Sequence, residues 1–152
     1  MNRLALLLLS ILLIGGCAGS ATKHIYPPKT SLQEITVQAD GHWTMKLRLQ
    51  NFSDLPMTFA HVETSVSIAG QEAGQLSVDP GVPVGPQSAE IATAEFTPNA
   101  AAKAAVTQAL ANRSALRYAL KGKIVTREPR GNYDFDYASA LNPVPGLSGV
   151  LR

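Results

Sequence analysis

The strongest constraint on this chain is an alternation of apolar and polar residues with period two, which begins near Leu32 and returns in segment after segment. Alternation of this kind puts every second side chain on one face of an extended strand, so it specifies sheets with one buried face. The cleanest run is Trp43, Met45, Leu47 and Leu49, interleaved with Thr44, Lys46, Arg48 and Gln50. Before it, Leu32, Ile35 and Val37 form a less regular set that suggests a short or edge strand. Asp40-Gly41 lies between the two and suits a tight hairpin turn. Asn51 to Pro56 interrupts the pattern. A long run follows, with Ala60, Val62, Thr64, Val66 and Ile68 on one face. Gly70 and Gly74 bracket a turn, and Leu76 and Val78 mark a short strand. The stretch from Asp79 to Gln87 carries three prolines and two glycines and reads as a loop. Ala89 to Phe96 is strand-like, with a parity change between Ile91 and Ala94 that a bulge would explain.

One segment differs in kind. Asn99 to Asn112 is rich in alanine and follows Thr97-Pro98, which reads as an N-cap and a first helical residue. Ala102, Val106, Ala109 and Leu110 fall on one stripe, and Asn112 can close the end. Two strands then complete the pattern. Leu116, Tyr118, Leu120, Gly122 and Ile124 share one face, and Tyr133, Phe135 and Tyr137 follow the turn at Glu128-Pro129-Arg130-Gly131. About seven strands with one helix before the last two specify a mainly β fold: a two-sheet antiparallel β-sandwich of immunoglobulin or fibronectin type III kind.

The N-terminus says where such a domain resides. Met1-Asn2-Arg3 precedes an aliphatic run from Leu4 to Ile14, which is too short to span a bilayer and reads as a secretory signal peptide. The run ends in Ile14-Gly15-Gly16-Cys17, which resembles the lipobox of bacterial lipoproteins. That resemblance implies cleavage before Cys17 and a lipid, palmitate included, on the only cysteine of the chain. Ala18 stands where an aspartate would signal inner-membrane retention, so the expected location is the periplasmic face of the outer membrane of a Gram-negative bacterium. The expected organisation is signal peptide 1–16, lipidated cysteine and tether 17–30, sandwich 31–141 and C-terminal tail 142–152. A formal net charge of +2, lowered by one on loss of Arg3, argues against a nucleic-acid partner. With Cys17 acylated no thiol remains for a disulfide, so the fold must rest on its apolar core.

The order of these parts resembles the late embryogenesis abundant (LEA) type 2 proteins, also called the WHy (water stress and hypersensitive response) domain. The likeness runs from Leu32 to Leu141. It rests on the strand Met45 to Gln50 leading into Asn51, on Val66-Ser67-Ile68-Ala69-Gly70 with Gly74, and on Tyr118 to Ile124 followed by Tyr133-Asp134-Phe135. The family's Asn-Pro-Asn turn keeps its first residue, Asn51, whereas Phe52 and Ser53 replace the other two. The resemblance implies a sandwich with one helix, no catalytic residues, no cofactor, and a protective or binding role in water-stress (desiccation) tolerance. An envelope adaptor that binds a protein partner through a sandwich edge or face is the alternative.

No catalytic or metal-binding pattern competes with these expectations. His24, His42 and His61 are scattered, no serine lies in a glycine-flanked nucleophile elbow, and no small-molecule substrate suggests itself. Asp134 and Asp136 project to one face, either as the solvated side of a half-buried strand or as a calcium-binding pair. Lys46 and Arg48 on one strand, with Lys121, Lys123 and Arg127 on another and Arg130 at the adjacent turn, form one basic face if the strands share a sheet. Such a face can rest on anionic lipid headgroups or simply solubilise the surface. Phe52, Leu55, Met57 and Phe59 form either an apolar lip for a client or partner, or a plug for one end of the sandwich.

Overall fold

The computed structural model describes residues 22–152; the leader and Cys17 lie outside the described residues. Among the described residues, nine strands and one helix follow in the order β1 (Lys29–Val37), β2 (Trp43–Asn51), β3 (Met57–Ile68), β4 (Gln71–Val78), β5 (Val82–Val84), β6 (Ser88–Phe96), α1 (Ala100–Asn112), β7 (Leu116–Arg127), β8 (Arg130–Leu141) and β9 (Val150–Leu151). They form two sheets, one in the order β6-β2-β1-β9 and one in the order β4-β3-β7-β8 with β5 also paired to β3. Every pairing is antiparallel. The fold is therefore the expected β-sandwich, with more strands than the alternation announces.

The core lies between the sheets. Ile35, Trp43, Met45, Leu47 and Leu49 from the first sheet join Met57, Phe59, Val62, Leu120 and Ile124 from the second in one buried cluster. Each such side chain contributes about 1.5–3 kcal/mol by leaving water. Trp43 and Phe96 pack as a tilted aromatic pair with centroids 5.8 Å apart. Ala102, Val106 and Ala109 of α1 close one flank of the same cluster, their small side chains letting the helix lie close.

Several local expectations are corrected. In β1 the register slips between Leu32 and Glu34, so Gln33 is a bulge residue and both Leu32 and Ile35 reach the core. The strand is long, flanked by β2 throughout and by β9 over Ile35 and Thr36. A second slip, between Phe59 and His61, turns Phe59 rather than Ala60 inward. The β3–β4 turn is Ala69-Gly70, and Gly74 pairs with Val66 beside a further irregularity. By contrast β6 pairs with β2 in unbroken register, leaving Ile91 outward and exposed instead of at a bulge. The 79–87 loop contains β5, whose Val84 is fully buried; Pro83 is tolerated because β5 pairs on one side only. The helix is capped by Asn99, whose Oδ1 accepts from the Ala102 amide at 2.9 Å, not by Thr97. Its other end closes at Arg113 in the left-handed region, not at Asn112. The 142–152 segment folds back as a hairpin through Asn142–Arg152 and Val144–Val150 backbone bonds, and its Leu151 is buried.

The two sheets are also joined by one hydroxyl. The free edge of β1 at Leu32 is met by Tyr118 of β7, whose Oη accepts from the Leu32 amide at 3.2 Å and donates to its carbonyl at 3.0 Å. Burial raises the Tyr118 phenol above its ordinary value of 10.0. Tyr118→Phe leaves two backbone groups at that edge without a partner, and is expected to lower stability in urea unfolding by about 1–3 kcal/mol. The native chain is expected to lose stability as pH rises through 10 towards the raised folded value, because the unfolded phenol ionises first. Tyr118→Phe should lose that alkaline component.

Candidate functional site

The chain crosses between sheets twice at the same end of the sandwich, from β2 to β3 and from β5 to β6. One side chain ties both crossings. Asn51, almost fully buried, donates through Nδ2 towards the carbonyls of Leu55 at 2.7 Å, Val84 at 3.2 Å and Gly85 at 3.0 Å. Its Oδ1 accepts from the Ser53 amide at 2.9 Å. An asparagine is suited to this place because a short amide carries donors and an acceptor on one rigid plane. Gln87 reinforces the corner. Its amide donates to the Ser53 carbonyl at 3.1 Å and its Nε2 to Asp54 Oδ1 at 2.9 Å.

The segment before β1, expected to be a simple tether, is docked on this corner. The Tyr26 amide donates to Ser53 Oγ at 2.9 Å, and that hydroxyl donates to the Tyr26 carbonyl at 3.1 Å. The His24 amide donates to Asp54 Oδ2 at 3.0 Å, and the Asp54 amide donates to the His24 carbonyl at 2.9 Å. These backbone and Gln87 bonds hold the Asp54 carboxyl below its usual range. Pro28 is buried where the strap enters β1. Ser53, one of the two residues that replace the Pro-Asn of the turn it resembles, and its neighbour Asp54 are therefore the ones that grip the strap.

The apolar lip is divided. Met57 and Phe59 are fully buried, since the bulge at Ala60 sets both towards the core, and they plug the end of the sandwich. Leu55 is half-buried, and Phe52 is 42% exposed. Ile25 and Tyr26 of the strap are exposed as well.

The basic residues do not share a face. Lys46 and Arg48 lie on β2 in one sheet, whereas Lys121, Lys123, Arg127 and Arg130 lie on β7 and β8 in the other. Within the second set, Lys121 stands opposite Asp136 and Lys123 opposite Asp134, with 3.8 Å between Lys123 Nζ and Asp134 Oδ1. The two aspartates thus balance the lysines. Arg127 and Arg130 stand opposite each other at the β7–β8 turn.

Lys46 is engaged elsewhere. Its Nζ lies 2.8 Å from Glu34 Oε1, and Arg152 donates from Nε to Glu34 Oε2 at 3.1 Å and from Nη2 to the same oxygen. The bulge at Gln33 brings Glu34 beneath these two side chains, which cover it. Their hydrogen bonds, Lys46 first, lower its pKa. Glu34 and Arg152 carry no sequence signal of pairing, being 118 positions apart. Stability supplied by Glu34 is present above its ordinary value of 4.5 and is lost as pH falls through the lowered folded value. Glu34→Gln is expected to cost about 1 kcal/mol. It should also speed hydrogen exchange at the Asn142 and Arg152 amides of the C-terminal hairpin, and remove part of the acid sensitivity.

Of the histidines, His24 lies 3.4 Å from Asp54, His61 lies 2.6 Å from Asp79, and His42 lies 3.0 Å from Thr97. Among the described residues, no three His, Cys, Asp or Glu side chains converge to hold a metal ion. A depression of about 630 Å³ opens between Leu110 and Arg113 at the helix end and the Pro143–Gly149 loop, with Arg113 as the charged group on its wall. Among the described residues no helix is long and apolar enough to cross a membrane.

With this geometry in place, the chain can be set beside solved structures. The solution structure of AT1g01470 from Arabidopsis thaliana is 12% identical, covering 88% of this chain and 91% of that one with a TM-score of 0.51. A candidate LEA protein, At2g46140.1, is 11% identical over 93% of this chain and 86% of its own, with a TM-score of 0.48. A protein from Archaeoglobus fulgidus is 13% identical over 82% and 99%, with a TM-score of 0.43. At these identities the likeness is one of fold. No family model and no curated protein matches the chain.

Proposed function

We propose that this chain is a non-enzymatic lipoprotein, held by lipid on Cys17 at the periplasmic face of the outer membrane, with a LEA type 2-like sandwich as its working part. Its role is protective or binding, exerted by surface contact with envelope components or with proteins losing water. The observation that supports this reading best is the architecture itself. Two antiparallel sheets with one helix between β6 and β7 are what the sequence resemblance implies, and AT1g01470 shares the fold over most of both chains. Asn51, the residue carried over from the family's turn, sits where it ties the two crossings together.

The test is client protection by the lipid-free chain from Ala18 to Arg152. A dehydration-sensitive enzyme is dried or freeze-thawed with this protein or with an equal mass of albumin, and recovered activity and aggregation are compared. The protective role predicts recovery well above the albumin control. Recovery equal to albumin contradicts it and leaves the envelope adaptor, for which a stoichiometric partner should co-purify from membranes.

A further inference from the structure

We propose that the double-crossing corner, together with the docked strap, is a membrane-contacting end: Ile25, Tyr26 and Phe52 rest on the anionic bilayer surface that holds the Cys17 lipid. This inference depends on the lipid reading of Cys17 given above, and goes beyond it by fixing which end of the sandwich meets the bilayer.

Three observations carry it. The first is reach. The strap is gripped from His24 onward, seven positions after Cys17, so this corner stays within about 25 Å of the acylated residue even with the intervening chain fully extended. β3 runs 12 residues away from the corner, about 40 Å, so the opposite end at Ala69-Gly70 lies farther from the point where the strap is held than any part of the corner does.

The second is apolar exposure. Ile25, Tyr26 and Phe52 are 49%, 48% and 42% exposed, and they lie at the same corner because Ser53, next to Phe52 in the chain, binds both backbone groups of Tyr26. An aliphatic side chain and two aromatic ones, one with a hydroxyl, suit the headgroup boundary of a bilayer.

The third is charge. Along the outer face of β7 and β8 the lysines are matched by aspartates, but at the turn Arg127 and Arg130 stand directly opposite each other. The adjacent Glu128 carbonyl accepts from the Thr58 amide at 2.9 Å, which places this turn at the same end as the 52–56 crossing. Like charges facing across a strand pair repel, and an anionic surface relieves that repulsion. Arg48 and Lys29 add positive charge at the same end, where Asp54, Glu90 and Glu128 are the opposing carboxylates, so that four basic side chains face three acidic ones. Each basic residue close to an anionic surface strengthens attachment about fivefold.

The experiment uses the mature full-length chain in vesicles of phosphatidylethanolamine and phosphatidylglycerol. Because Cys17 is the only cysteine, its alkylation leaves an introduced cysteine as the sole thiol. An environment-sensitive fluorophore is attached at Phe52→Cys or Ile25→Cys near the corner, and at Gln71→Cys at the far end; these side chains are all exposed. The expected result is blue-shifted emission and quenching by nitroxide-bearing lipids at 52 and 25, with solvent-like emission and little quenching at 71. Ser53→Ala, which removes the grip on Tyr26, should weaken quenching at 25 while the chain stays in the membrane fraction. Solvent-like emission at 52 and 25, or equal quenching at all three positions, in a chain that remains membrane-bound overturns the docking alone. Should the unsubstituted chain take up maleimide, Cys17 is free, and that result overturns the lipid reading together with the inference that rests on it.

Discussion

Asn51→Ala is expected to lower the unfolding free energy by about 3 kcal/mol, because it strips a buried hydrogen-bonding centre without removing the groups it serves. The carbonyls of Leu55, Val84 and Gly85 and the amide of Ser53 all lose this partner at once. For a domain of this size the loss corresponds to a fall in melting temperature of about 10 °C. Asn51→Asp should cost at least as much, since a carboxylate would face three carbonyl oxygens with no proton to donate. Thermal unfolding followed by circular dichroism checks both. A change near zero for Asn51→Ala would mean that the two crossings hold themselves and that Asn51 is incidental to the corner.

Gly122→Ala is expected to cost about 3 kcal/mol or more, for a steric reason. Gly122 lies in the middle of β7 opposite Thr64, and a Cβ there would overlap the Glu63 carbonyl and lie 2.6 Å from the Thr64 Cα. Both obstacles are backbone, so relief requires β3 and β7 to move apart along a pairing of nine residue pairs in the middle of the second sheet. Gly81→Ala is the natural control. Its φ of +61° disfavours a side chain but open space surrounds it, so its expected cost is about 1 kcal/mol. Chemical denaturation of the two variants separates steric clash from backbone preference. Equal losses would argue against the clash.

These expectations show where the sequence is legible and where it is not. The alternation in Trp43–Leu49 becomes β2 residue for residue, because an interior strand without bulges keeps strict parity. Where a bulge intervenes parity misleads, as at Gln33 and Ala60, since one inserted residue exchanges the two faces. The inward setting of Met57 and Phe59 and the covered position of Glu34 follow from those two slips. β5 and β9 were hidden for another reason. Val82-Pro83-Val84 and Val150-Leu151 are too short to show a period, and each is held by a strand from elsewhere in the chain.

The candidate site was legible in part. Asn51 could be singled out because it matches the first residue of the turn that the sequence resembles, at a place that a turn-forming side chain suits. The docked strap could not, because a small, polar, proline-containing segment looks alike whether it is free or bound. Its partners Ser53, Asp54 and Gln87 are ordinary loop residues whose role arises only when the two crossings converge. The basic face depended on strand order, which composition does not encode, and the two sheets divide it. The helix shows a finer form of the same ambiguity. Thr97 and Asn99 are both competent caps, and the choice of Asn99 is tied to β4, where its amide donates to the Ala73 carbonyl and its side chain to that of Glu72.

The lipid on Cys17 is the claim from which location, orientation and the membrane-facing corner all proceed. Its most direct test is intact-mass and N-terminal peptide analysis of the chain extracted from membranes in detergent. The account predicts a mature chain that begins at Cys17 and carries a diacylglycerol thioether with an acylated amino group. A chain that retains residues 1–16, or that begins after Cys17, or that bears a free Cys17 thiol would contradict it.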